Sequence, residues 1–82
     1  MILKRPITTE KSMLYLENGN TICFIVDNTA NKERIKKEFE EIYEVKVDKV
    51  NTMMTTNGEK KAMIKISDEF SAEDIAMKLG LM

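Results

Sequence analysis

The sequence predicts an α+β fold with one four-stranded antiparallel sheet, and three stretches carry that prediction. Val45–Ser67 sets two β-type runs on either side of Asn57-Gly58, and Asn-Gly between such runs is the strongest short-range hairpin signal. Thr21–Asp27 is apolar on both faces, as expected of a central strand covered on both. Lys32–Tyr43 places Ile35, Phe39 and Ile42 at i, i+4 and i+7, one stripe of a helix among charged residues.

The elements follow in order. Residues 2–5 form an edge strand that Pro6 ends, because proline has no N–H for a ladder. Thr8 and Thr9 supply hydroxyl caps for a short helix over about residues 9–17, and Asn18-Gly19-Asn20 is a turn. Asn31 or Thr29 caps the helix Lys32–Tyr43. Lys36–Glu40 and Lys37–Glu41 have i,i+4 spacing for ion pairs. The acidic run of Glu38, Glu40, Glu41 and Glu44 is read as a solvated helix face, not paired catalytic carboxylates. In the first hairpin arm, Val45 and Val47 share a face while Val50, Thr52 and Met54 share the other. A β-bulge near Asp48-Lys49 restores the phase. In the second arm Ala62, Ile64 and Ile66 point one way, and Lys61, Met63, Lys65 and Ser67 the other. The chain closes with a helix over Phe70–Met82. Ser71 is its cap, Phe70 and Ile75 have staple spacing, and Gly80 is the stop.

If the last hairpin arm inserts between the strands of the right-handed strand–helix–strand unit, the result is the ferredoxin-like split βαβ topology. The expected sheet order is strand 1 (2–5), strand 2 (20–27), strand 4 (60–67), strand 3 (45–55), that is 1-2-4-3. The two longer helices cover one face and bury Phe39, Ile42, Ile75 and Leu79. The short first helix partly covers the other face, whose remainder meets a partner.

The 82 residues are expected to form a single domain, 1–82. No apolar run approaches the roughly 20 residues a membrane span needs, so no membrane partner is expected. The opening Met-Ile-Leu-Lys-Arg-Pro does not read as a signal peptide. The lone Cys23 cannot make an internal disulfide, and it reads as a small apolar core residue. Without a histidine or a second cysteine, most zinc sites and histidine acid–base chemistry are excluded. The glycines stand apart at 19, 58 and 80, so there is no phosphate-binding glycine loop. No cofactor, metal or enzymatic activity is expected.

The net charge is −1, but the charge is segregated. Lys46, Lys49, Lys60, Lys61 and Lys65 on the hairpin face only Asp48 and Glu59, whereas Asp68, Glu69, Glu73 and Asp74 face Lys78 near the C-terminal end. A basic strip of this kind suits an anionic partner, and lysines with Asn and Thr suit RNA phosphates and sugar or base edges. Lys60 and Lys61 point to opposite faces, so both reach RNA only if the hairpin end protrudes. The aromatic residues mostly fall at core positions, which favours a preformed RNA shape over splayed bases stacked on rings. Two rival classes share the topology, a small-molecule regulatory domain and an acylphosphatase-type enzyme. The second needs an arginine in an anion-binding loop, and neither Arg5 nor Arg34 lies in a Gly-rich one.

Several motifs in order carry a family resemblance. They are Lys4-Arg5-Pro6, Thr9-Glu10-Lys11-Ser12, Ala30-Asn31-Lys32, Ile35-Lys36, Val45-Lys46-Val47, Val50-Asn51-Thr52, Gly58-Glu59-Lys60-Lys61-Ala62 and Leu79-Gly80. Over nearly its whole length the chain resembles the large ribosomal subunit protein twenty-three family, found beside the exit of the polypeptide tunnel. The short hairpin loop, in place of a long basic one, resembles archaeal-type members. The resemblance implies a structural constituent of the large subunit that binds its rRNA, in a cytoplasmic ribosome. With the basic strip it implies rRNA contacts at Lys4, Arg5, Thr9, Lys11, Ser12, Asn31, Lys32, Lys46, Lys49, Asn51, Thr52, Lys60, Lys61 and Lys65. It places Glu10 at a docking surface for the signal recognition particle and other nascent-chain factors. It also implies neighbouring ribosomal proteins as partners and a monomer outside the ribosome.

Overall fold

In a computed structural model, residues 2–80 are described. The elements run β1 (Leu3–Pro6), α1 (Glu10–Gly19), β2 (Thr21–Val26), α2 (Lys32–Tyr43), β3 (Val47–Met54), β4 (Lys60–Ile66) and α3 (Ala72–Lys78). The sheet is antiparallel throughout in the order β1-β2-β4-β3, as the sequence predicts.

The expected bulge is present: Val47 lies opposite Ile66 and Lys49 opposite Lys65, leaving Asp48 as the extra residue. Its effect is to turn both Val47 and Val50 onto the core side. A second bulge, not anticipated, leaves Lys4 as the extra residue of β1. Pro6 does not end the ladder as expected. It sits opposite Phe24, and the Ile7 N–H donates to the Cys23 carbonyl at 3.0 Å. Pro6 occupies a position whose missing N–H would point away from β2, which an edge strand tolerates.

The hairpin turn also differs from a tight two-residue turn. Thr55 N–H donates to the Glu59 carbonyl at 2.8 Å and Gly58 N–H to the Thr55 carbonyl at 3.0 Å. Only Gly58, at φ +79°, is left-handed; Asn57 is not. This is a three-residue loop closed by a left-handed glycine.

Ile22, Phe24 and Val26 of β2 join Val50, Ala62, Ile64 and Ile66 in one core against Ile35 and Phe39 of α2 and Ala72, Ile75 and Ala76 of α3. Phe24 meets Phe39 edge-on, with ring centroids 5.8 Å apart, and Tyr43 closes the cluster 4.6 Å from Phe39. Leu16 of α1 belongs to this same core, and α1 lies beside α3. All three helices therefore sit on one side, and the expectation that α1 partly covers the opposite face is corrected. A second correction concerns Ile42, which is 41% exposed. Phe39 and Tyr43 already fill the space over Phe24, and Leu79 packs at the margin.

Capping explains the helix ends. Thr9, Asn31 and Ser71 each accept from the backbone N–H three residues on. α3 is shorter than the helix expected over Phe70–Met82: Ser71 is its cap, Leu79 and Gly80 form a turn after Lys78 with Gly80 at φ +77° as the left-handed stop, and residues 81–82 lie outside the described residues. The Ser71 cap bond is long, 3.4 Å to Asp74 N–H. Ser71→Ala should therefore cost about 0.5–1 kcal/mol, at the lower end for a cap. Chemical denaturation measures it, and an unshifted midpoint would remove Ser71 as a stabilising cap.

Candidate nucleic-acid interface

The sheet face opposite the helices is assembled by strand register. β4 directs Lys61, Met63 and Lys65 there, opposite Ile25, Cys23 and Thr21 of β2. β3 adds Lys49, Asn51 and Met53, opposite Lys65, Met63 and Lys61. Arg5 of β1 lies opposite Ile25. Cys23 and Ile25 are buried without a helix above them, since the longer Met63 and Lys61 stand beside them. Burial pushes the Cys23 thiol up, with Lys61 acting weakly the other way, which leaves an unreactive apolar residue as expected.

Lys49 and Lys65 are direct cross-strand neighbours. Like charges placed so destabilise a sheet. Two acidic residues share this region: Asp48 at the bulge, exposed beside Lys49 and turned away from the core, and Glu59, which is taken up by Arg5. The two terminal guanidinium nitrogens of Arg5, Nη1 and Nη2, each donate to a Glu59 oxygen at 2.9 Å, a fork that joins β1 to the hairpin end across β2. Those hydrogen bonds hold the Glu59 carboxyl below its ordinary range and raise Arg5. The pair helps the fold only while Glu59 is ionised, and that help is lost as pH falls through the depressed pKa. Both groups face solvent, so the contribution is small. A groove of about 430 Å³ lies between this fork, the segment leading into α1 and the hairpin end.

The other residues expected at the interface are dispersed. Lys60 faces the helix side, where its ammonium donates to the Ala30 carbonyl at 2.7 Å; only Lys61 of that pair is on the open face. Ser12 is buried, its hydroxyl donating to the carbonyls of Ile7 and Thr9 at 3.0 and 2.8 Å. Thr9 and Asn31 are caps, and Thr52, opposite Ala62, faces the helices. Lys4, Lys11, Lys32 and Lys46 are exposed around the periphery, as is Glu10 in the first turn of α1, where the helix dipole also favours a carboxylate.

The acidic run of α2 has structural work of its own. Glu38 accepts from Ile2 N–H at 3.2 Å, and Glu40 accepts from Val47 N–H at 2.9 Å. The expected Lys36–Glu40 and Lys37–Glu41 pairs are not made; among the described residues Arg5–Glu59 is the ion pair present. Asn20 is the residue that sequence reasoning missed. At φ 48° it ends α1, its amide donates to the carbonyls of Ile66 and Phe70 at 3.0 and 3.1 Å, and its oxygen accepts from Ala72 N–H at 2.7 Å. A turn signal identified the position, but its distant partners have no local trace.

Among the described residues, no group of three His, Cys, Asp or Glu side chains could hold a metal ion, and no helix is long and apolar enough to cross a membrane. Two comparisons with known proteins bear on this arrangement. Residues 1–73 match the model of the family described as ribosomal protein L23. Large ribosomal subunit protein uL23 of Dictyostelium discoideum is 48% identical over 81 residues, covering 99% of this chain. The alignment covers 48% of that relative, so the chain spans about half the length of the curated relative it matches. With a family match over most of its length and that identity, the chain belongs to the ribosomal protein L23 family, a family of ribosomal constituents and not of enzymes.

Proposed function

We propose that this chain is a structural constituent of the large ribosomal subunit that binds large-subunit rRNA through the open face of its sheet. The observation that carries the reading is the juxtaposition of Lys49 and Lys65 across the ladder, with Lys61 further along the same face of β4. An isolated fold gains nothing from like charges placed opposite each other. An RNA backbone turns that repulsion into attraction and releases counterions. Asn51 on the same face supplies an amide for sugar or base edges. The acidic residues Glu33, Glu73 and Asp74 lie on the helices, away from this face, which orients the molecule on an anion.

Placement beside the tunnel exit of a cytoplasmic ribosome, contact with neighbouring ribosomal proteins and a monomeric state off the ribosome complete the reading; these rest on the family. The direct test is to tag the chain and follow it through a sucrose gradient. Co-sedimentation with the large subunit is the expected result, and a tag confined to the top of the gradient would overturn the reading.

Factor docking at Glu10 is the finer part of the proposal. Its carboxylate is exposed and lies apart from the lysine face, so one site can serve a factor while the other holds RNA. Glu10→Ala should leave incorporation into ribosomes unchanged and weaken binding of the signal recognition particle or other nascent-chain factors several-fold. Ribosomes carrying the variant but binding these factors normally would show that Glu10 is no part of the docking surface.

A further inference from the structure

We propose that the groove beside the Arg5–Glu59 fork receives one unpaired nucleotide of the RNA held by the open face, an inference that rests on the RNA-binding reading. The groove is about 430 Å³, within the roughly 300–1,000 Å³ of small-molecule sites. An RNA duplex is too broad to enter it, whereas a single splayed nucleotide is of the right size. Half-buried Pro6 and Ile7 give it apolar surface over the buried Ile25, and the exposed Thr8 and Asn57 supply a hydroxyl and an amide. Lys61 lines the groove and belongs also to the lysine face, so a phosphate bound there joins the two sites.

Arg5 is what makes the groove specific for a base. Its guanidinium is held by two hydrogen bonds of 2.9 Å to Glu59, which fixes the plane and compensates its charge. Guanidinium planes are stacking surfaces for unpaired bases in RNA recognition, and a plane already fixed loses little freedom on binding. The groove thus provides without an aromatic ring what an exposed ring provides elsewhere. Recognition by shape along the lysines and capture of one base at the hairpin end are parts of one surface.

The test is footprinting of large-subunit rRNA with a 2′-hydroxyl acylating reagent, which marks unpaired nucleotides, together with hydroxyl-radical cleavage, which reports protection of the RNA backbone. The parent chain should protect one unpaired nucleotide from acylation and a paired segment from cleavage. Arg5→Lys keeps the charge but loses the plane, and Thr8→Glu places a negative charge at the groove wall. Each should restore the acylation of that nucleotide at least fivefold, with the backbone footprint retained. Circular dichroism establishes that both variants are folded, and either folded variant suffices. Protection of the same unpaired nucleotides by the parent and the variants would overturn the groove assignment, and so would the absence of any protected unpaired nucleotide. In both cases RNA binding itself would stand. Absence of the backbone footprint with the parent chain would instead overturn the RNA-binding reading, and this inference with it.

Discussion

Asn20→Ala is expected to destabilise the fold by about 3 kcal/mol, a large effect for a single polar side chain. The side chain ties the end of α1 to the end of β4 and the start of α3, through hydrogen bonds of 2.7–3.1 Å to Ile66, Phe70 and Ala72 and a longer one of 3.4 Å to Ser67. Truncation leaves partly buried carbonyls and an N–H without a partner, at roughly 1 kcal/mol or more each. It also places a Cβ-bearing residue without a local hydrogen bond at φ 48°, at a further cost of about 1 kcal/mol. Asn20→Gly separates the two effects, because glycine keeps the left-handed backbone and loses only the hydrogen bonds. Urea unfolding should rank parent, Gly and Ala in descending stability. Equal midpoints for all of them would show that the Asn20 hydrogen bonds contribute nothing.

Reversing the three lysines of the open face should have the largest effect on binding. The combined variant Lys49→Glu, Lys61→Glu, Lys65→Glu is expected to lower affinity for large-subunit rRNA more than a hundredfold at low salt. The slope of log affinity against log salt should become shallower by roughly 1 for each phosphate that the variant no longer neutralises. Lys36→Glu with Lys37→Glu, on the helix side, is the matched control and should change the slope little. The single variant Lys49→Glu gives a sharper result. It turns the Lys49–Lys65 repulsion into an opposite-charge pair, worth roughly 0.2–1 kcal/mol to the fold. The protein should become slightly more stable while binding RNA less well. Unchanged affinity in the triple variant would remove this face from the RNA site.

Much of the architecture was legible in the sequence because it depends on local patterns. Asn57-Gly58, the alternation of Ala62, Ile64 and Ile66, and the fully apolar β2 define a hairpin and a central strand without knowledge of any partner. The phase change between Val47 and Val50 located a bulge, since a period of two leaves no other way to bury both. Caps at Thr9, Asn31 and Ser71 were legible because each bonds within one helical turn.

What the sequence left open depends on interactions between residues far apart in the chain. The side on which α1 packs follows from Leu16 reaching the shared core, and periodicity names a buried face without naming its neighbour. Adjacent lysines are equivalent in composition, yet Lys60 is anchored to Ala30 while Lys61 stands on the open face. Arg5 and Glu59 are 54 positions apart, so their fork, and the groove beside it, exist only once β1, β2 and β4 are aligned. By itself the sequence determined the family, the strand order and the presence of a basic strip. The tertiary structure decided which charges remain available to a partner, because backbone register assigns each side chain to a face and the long-range hydrogen bonds remove some of them from solvent.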